Sequence, residues 1–597
     1  SSTATGAYRR TKAACSQRPA LARSTGPMGQ GSGHSAGGST PGGATEAAEG
    51  TFTNPILPGG FPDPCICRVG EDFYLVNSSF EYFPGLPIHR SKDLVNWEWV
   101  GYGLHREEQV SGAVNLVDVK SNDGIQAPSL RYHDGVFYII TTNVYRPPGE
   151  ADGTCTNFII TATDIRGPWS QPHVLEGAPG IDPDIFFDDG KVWYVGTNGP
   201  AKPNFPGEGE IWCQEIDLAG WKLTGERHFL WRGALYGAVF AEGPHLYKHE
   251  GKYYLMIAEG GTGVNHAVTI AMSDEVTGPY YPNERNPILT SRHLSYDNWV
   301  HSTGHADLFQ VPDGRWYMVL LGVRAEEGKP GRPGSNMGRE THLVPVTWER
   351  EPNEWSPLGP AEHRLWPVAA PLTGRVERVN PLSLAVGSAA APAAHEFHDD
   401  FDSDTLHPEW NFRRVPSQGP YSLSARRGFL RLYASPEVIR ENTSCALLGV
   451  RQRESDFDYI TRMSFEPGAD GVEAGISLFQ KDDNYINCTV IRQAGTWLLR
   501  LVVAQPGKDP ETVKEATLQE YAGEIVFQVV SREHRYHFNY SLGEAVSYRP
   551  TLAETAADLI LSSGYTGAYL GLYCSSRGGP TGEYADFDYA QQTANPH

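Results

Sequence analysis

Ala241-Glu242-Gly243-Pro244-His245-Leu246-Tyr247-Lys248-His249-Glu250-Gly251-Lys252-Tyr253-Tyr254-Leu255-Met256 reads as a carboxylate, then a tight turn at His-Glu-Gly, then an aromatic-rich strand. The phrase recurs. Gly70-Glu71-Asp72-Phe73-Tyr74-Leu75-Val76, His133-Asp134-Gly135-Val136-Phe137-Tyr138-Ile139-Ile140, Asp189-Gly190-Lys191-Val192-Trp193-Tyr194-Val195 and Pro312-Asp313-Gly314-Arg315-Trp316-Tyr317-Met318-Val319 are further copies. The five tyrosines, 74, 138, 194, 254 and 317, are spaced by 64, 56, 60 and 63 residues. A repeat of about 60 residues, each unit carrying turn-linked short strands, marks the blades of a β-propeller, and five copies predict five blades.

Counting back eleven residues from Tyr74 reaches Asp63, and twelve from each of the other tyrosines reaches Gln126, Asp182, Glu242 and His305. Residues at one phase of a radial repeat surround its axis. A packing role calls for Val or Ala there, yet all five are polar and three are carboxylates. Polar groups converging on an axial funnel are what a small-molecule site requires. Pro62 and Pro64 flank Asp63 and predict a rigid, extended backbone there. Ile181-Asp182-Pro183-Asp184 offers two acids; strand alternation puts both on one face, and phase selects Asp182. His301-Ser-Thr-Gly-His305 has the i, i+4 spacing of a helical zinc pair. It lacks the intervening Glu and precedes a strand pattern, so it does not read as a zinc-peptidase site.

At 597 residues the chain has room for two or three domains, and its net charge of −22 argues against a nucleic-acid partner. No run of 18 apolar residues suggests a membrane span. The eight cysteines are scattered and read as buried free thiols rather than as a disulfide framework, and Cys65-Ile66-Cys67 is too close for a zinc knuckle. These thiols, with no apolar leader segment, favour the cytoplasm, with secretion as the alternative. Residues 1–51 are rich in Gly, Ser, Ala and Thr and read as a disordered tail. Residues 52–385 carry the repeat. An Ala-, Gly- and Pro-rich stretch, 385–394, reads as a linker. Residues 395–592 lose the 60-residue period and contain strand-like runs such as Phe457-Asp-Tyr-Ile-Thr-Arg-Met463 and Gly475-Ile-Ser-Leu-Phe479, predicting a β-sandwich. The chain is thus read as all-β.

Gly59-Gly-Phe-Pro-Asp63-Pro64, Ser79-Phe80-Glu-Tyr-Phe-Pro-Gly85, Ile181-Asp182-Pro-Asp-Ile-Phe, Ala241-Glu242-Gly-Pro-His-Leu-Tyr-Lys, Gly304-His305-Ala-Asp-Leu and Gly338-Arg339-Glu340-Thr341 together resemble glycoside hydrolase family 43. The likeness is to its two-domain β-xylosidase/α-L-arabinofuranosidase branch. The resemblance covers residues 52 to 590 and implies a five-bladed propeller with a concanavalin-like β-sandwich over one edge. It implies Asp63 as general base, Glu242 as general acid and Asp182 as the residue that orients and tunes the acid. It puts His305 on the axis near a water or a calcium ion, with Arg339 and Phe80 lining the sugar pocket. Where the family often has Trp, this chain has Gln126 within Gly124-Ile125-Gln126-Ala127-Pro128, a hydrogen-bonding group in place of a stacking wall.

These readings predict an exo-acting, inverting hydrolase that releases pentose from xylo-oligosaccharides or arabinoxylan and requires no cofactor, a structural calcium on the axis being the one ion considered. A homo-oligomer is left open. The rivals are an endo-arabinanase, which needs an open groove, a lectin-like sugar-binding propeller, which needs no opposed acids, and an interaction scaffold, which favours exposed hydrophobic rims.

Overall fold

The structure is a computed structural model describing residues 50–595 apart from 238, 326–333, 353–358, 361–362, 544–548 and 581. Most of the tail predicted for residues 1–51 therefore lies outside the described residues. Thr51 does not belong to a tail: Thr51–Thr53 forms a strand paired with Val379–Pro381.

Residues 65–369 build five antiparallel sheets, each contiguous in sequence except that Tyr82–Phe83, within the first, belongs to another sheet. Their innermost strands are Cys65–Val69, Gly124–His133, Ile181–Asp188, Glu242–His249 and Val300–Gln310. The five repeated tyrosines all lie on the second strand of their blade, in Asp72–Val76, Val136–Tyr145, Lys191–Asn198, Lys252–Glu259 and Trp316–Arg324. The hairpin turns before three of them place Asp134-Gly135, Asp189-Gly190 and Glu250-Gly251 at positive φ. That is the turn geometry whose twist matches two paired strands. Between blades pack apolar faces, for example Tyr254, Met256, Val268 and Ile270 of blade four against Leu308, Met318 and Leu320 of blade five. Among the described residues no strand is exchanged between first and last blades. The ring closes through the Thr51–Thr53 pairing and through Asn54, whose Nδ2 donates to the carbonyls of Leu343 and Glu377, both at 2.9 Å.

Each innermost strand has a left-handed residue within it or just before it: Asp63 (φ 50°), Ala127 (49°), Asp182 (55°), Gly243 (60°) and His305 (51°). Register shifts accompany the last four, between Gln126 and Ser129, Ile181 and Asp184, Glu242 and His245, and Gly304 and Asp307. Asp63 is not extended, because the strand bends at its own Cα. Gln126 and Glu242 stand one residue before the bend, whereas Asp63, Asp182 and His305 occupy it. Asp182 and Asp184 do not share an environment, because the bulge between them breaks simple alternation.

The sandwich consists of two eight-stranded sheets enclosing one apolar core. One sheet is completed by the propeller: Tyr82–Phe83 pairs with Asn411–Arg413, Phe83 opposite Phe412 and Tyr82 opposite Arg413. The stretch read as linker is part of the packing at its start. Ala385 is buried in the core between blades one and five, and the Val386 amide donates to Asp93 O at 3.1 Å. Among the described residues no helix is long and apolar enough to cross a membrane. The seven described cysteines are all free, and all but Cys155 are buried.

Candidate active site

The bends aim side chains at the axis. Asp63 is 7% exposed and accepts hydrogen bonds from Ser78 Oγ at 2.6 Å and Arg339 Nη1 at 3.3 Å; His305 Nδ1 lies 3.0 Å from its Oδ1. Burial alone raises a carboxyl's pKa, but Arg339, His305 and the Ser78 hydroxyl outweigh it and hold Asp63 well below the usual carboxylate range. The same contact acts on His305. Burial lowers its pKa, and Asp63, with help from Asp182 and Glu242, raises it to about 9. The pair is therefore an ionised carboxylate against an imidazolium at neutral pH.

Asp182 Oδ2 accepts the amide of Gly243 at 3.0 Å, which joins the bend of blade three to that of blade four and sets Asp182 beside the backbone of Glu242. Gly243 in turn lies against the His305 ring: a Cβ there would sit 3.0 Å from His305 Nε2. Asp63, His305, Gly243 and Asp182 thus form one contiguous cluster, with Glu242 partly exposed next to it. Gln126 is connected through its neighbour, since the Ala127 amide donates to the same Ser78 Oγ at 2.7 Å.

One layer deeper, Arg131 fills the axis. Its guanidinium contacts Asp184 at 2.8 Å, Asp307 at 3.2 Å, Cys65 Sγ at 3.2 Å and His245 Nδ1 at 3.2 Å. His245 Nδ1 is also 2.6 Å from Asp184 Oδ2. Asp184, the rival to Asp182, is therefore engaged in a buried ion-pair layer beneath the cluster. Among the described residues no group of three or more His, Cys, Asp or Glu could hold a metal ion. Calcium prefers six to eight oxygen ligands. Here the axial donor is a nitrogen turned to Asp63, with a guanidinium on the axis below. These residues do not fit a directly held calcium ion.

Arg339 opens its strand, Arg339–Arg350, and also meets Thr262 Oγ1 at 3.1 Å. Its guanidinium lies 5.7 Å from the Phe80 ring centre and 5.1 Å from that of Tyr565. Tyr565 comes from the sandwich and stacks on Phe80, centroids 5.8 Å apart and planes at 19°. Phe80 is consequently only 3% exposed. Tyr565, partly exposed, is the aromatic surface that remains open. Ser78, Thr262 and Tyr565 were not found from sequence. Ser78 lies one residue before the Ser79–Gly85 motif and carries no repeat phase of its own. Tyr565 lies 226 residues from Arg339, in a segment without repeat phase. A small cavity behind Phe80, lined by Ser78, Arg451, Tyr565 and Tyr569 among others, contains none of the three acids and belongs to the domain junction.

Residues 52–355 match the model of glycosyl hydrolases family 43, and residues 398–593 that of a beta xylosidase C-terminal concanavalin A-like domain. A xylosidase/arabinosidase of Butyrivibrio fibrisolvens is 37% identical over 549 residues, 90% of this chain and 98% of the relative. A non-reducing end alpha-L-arabinofuranosidase of Bacteroides ovatus is 34% identical, covering 91% of this chain and 94% of the relative. Among solved structures, a xylan beta-1,4-xylosidase of Bacillus halodurans superposes with a TM-score of 0.79 at 30% identity, over 91% of this chain and all of that one. This chain, a five-bladed propeller joined to a concanavalin-like sandwich, belongs to glycosyl hydrolases family 43.

Proposed function

We propose that this chain is an exo-acting, inverting glycoside hydrolase that releases pentose, β-D-xylose, α-L-arabinofuranose or both, from xylo-oligosaccharides or arabinoxylan. The observation that carries the reading is the contrast around Asp63: a buried carboxylate kept ionised by Arg339, His305 and Ser78, in contact through His305 and Gly243 with the segment bearing Glu242. Inversion requires a base that takes a proton from water on one face of the sugar and an acid that protonates the leaving oxygen on the other, their carboxyls about 6.5–9.5 Å apart. Asp63 is suited to be the base, because a carboxylate that stays charged accepts the proton of the attacking water. Water oxygen bonds to the anomeric carbon as the glycosidic bond breaks, and Glu242 delivers its proton to the departing oxygen. Asp182 acts on Glu242 by fixing the Gly243 amide and by its charge. Arg339 and Gln126 bind sugar hydroxyls, and the open face of Tyr565, backed by the buried Phe80, takes the sugar ring. His305 holds Asp63 in place. Each step uses side chains alone, so the proposal assigns no role to a metal.

Pentosides are favoured because the named relatives are xylosidases and arabinofuranosidases. Exo action is favoured because the sandwich brings Tyr565 against Phe80 and narrows one side of the funnel. The test is release of nitrophenol from nitrophenyl β-D-xylopyranoside and nitrophenyl α-L-arabinofuranoside, with NMR of the first sugar released. Inverted product from either pentoside is expected. Retained configuration overturns Asp63 as a base acting through water, and no release from either overturns the substrate class.

A further inference from the structure

Glu81 is fully buried at the junction of propeller and sandwich, and its Oε1 has no hydrogen-bond partner among the described residues. Its Oε2 accepts the backbone amide of Asn122 at 2.6 Å. Asn122 is a left-handed residue, φ 67°. From that conformation it serves two parts of the site at once. Its carbonyl accepts Gln126 Nε2 at 2.9 Å, and its Oδ1 accepts the amide of Tyr565 at 2.7 Å. Gly564, at φ 87°, allows this approach: a Cβ there would stand 2.9 Å from the same Oδ1. On the other side, Glu81 follows Phe80, which exchanges two backbone hydrogen bonds with Ile125, and the Glu81 carbonyl accepts the Arg414 amide of the sandwich at 2.8 Å. Nothing in the reaction proposed above uses Glu81. A buried carboxylate is costly unless hydrogen bonds and charges compensate it. A hydrogen bond from a backbone amide to a buried carboxyl oxygen, with no water to compete for it, fixes a residue in place.

We infer that Glu81 is a positioning residue which, through Asn122, holds Gln126 of the propeller and Tyr565 of the sandwich in register around the sugar. The inference rests on the reading of this site as a pentoside pocket. Glu81 touches neither the acids nor Arg339, so its removal disturbs the sugar-facing wall and leaves proton transfer intact. The effect belongs in KM rather than in kcat.

The test uses the full chain and nitrophenyl β-D-xylopyranoside. Glu81→Ala is expected to raise KM about 10-fold with kcat within about threefold, and Glu81→Gln, which keeps an acceptor for the Asn122 amide, to restore most of it. Asn122→Gly keeps the left-handed backbone but removes the acceptor for Tyr565, and is expected to move KM in the same direction; it carries the test if Glu81→Ala does not fold. In a Tyr565→Ala background, Glu81→Ala is expected to add less than about twofold, as groups acting in series do. Hydrogen exchange at the Tyr565 amide gives a readout independent of turnover and is expected to accelerate in both Glu81→Ala and Asn122→Gly. No pentoside turnover by the wild type, together with this acceleration in the two variants, sinks the assigned reaction and leaves the linkage standing. Wild-type KM in Asn122→Gly, full multiplication of the Glu81→Ala effect in the Tyr565→Ala background, or unchanged exchange at Tyr565 overturns the inference.

Discussion

Replacing Asp63 with Asn preserves shape and deletes the charge on which the axial cluster turns. His305 then loses the partner that lifts its pKa from 6.5 to about 9. A displacement of that size corresponds to about 3 kcal/mol, at 1.36 kcal/mol for each pH unit, and it counts once for the pair. Both side chains are nearly enclosed, 11% and 8% exposed, so solvent screens little of it. The sign follows from linkage. A histidine raised in the folded state stabilises fully below pH 6.5, and the contribution fades as pH rises through about 9. Wild type therefore gains from this pair at pH 6 and the variant does not; the difference narrows above pH 9. The assay is NMR of labelled histidine. In Asp63→Asn the His305 titration should fall by about two pH units, since burial alone drives it down while Asp182 and Glu242 remain. Turnover should fall on the order of 100-fold or more for loss of the base. A His305 midpoint within about half a pH unit of wild type would refute the electrostatic account, whatever the activity.

Glu242→Ala should damage hydrolysis of natural xylosides far more than that of nitrophenyl xylosides, because a good leaving group needs little protonation; equal losses count against Glu242 as the acid. Asp182→Asn should lower the rate and move the alkaline limb of the pH–rate profile to lower pH, since a neighbouring negative charge no longer favours the protonated acid; an unshifted limb with full activity marks Asp182 as a turn residue. Glu81, facing Arg413, Arg414, Asp482, Tyr82 and Tyr569, has its pKa raised by burial to about 7, which the two arginines only partly offset. Its ionisation therefore destabilises the fold progressively as pH rises from about 4.5 to 7. Glu81→Gln should melt higher than wild type at pH 8 and equally at pH 4, and a constant offset in calorimetry contradicts this. Exhaustive chelation should leave turnover intact, and a loss restored by calcium alone would reassign His305 as the holder of an ion.

The periodic part of the architecture was legible because hairpin turns and second strands leave a local pattern. Asp189-Gly190 before Trp193-Tyr194 is visible within six residues. The acids were legible through the same pattern, but only to within a residue: phase cannot tell whether the bend falls on the polar side chain, as at Asp182, or just after it, as at Glu242. Strand alternation could not separate Asp182 from Asp184, which pairs with Arg131 one layer deeper, because a bulge is invisible to a two-residue period. Tyr565 and Glu81 were hidden for another reason. Their roles arise from contacts between distant segments, Tyr565 with Asn122 at a separation of 443 residues, and no window of sequence contains both.

Tyr82–Phe83 lies in the propeller's chain but completes an edge of the sandwich's sheet. Cutting between the two domains would leave that sheet with unpaired amides and carbonyls at Asn411–Arg413, the kind of edge that recruits other chains. It would also free the segment that carries Phe80 and Glu81. Neither half is therefore a module to be expressed, swapped or shuffled alone. The two are expected to melt in a single transition, and grafting the sandwich onto another propeller would succeed only if that short strand travelled with it.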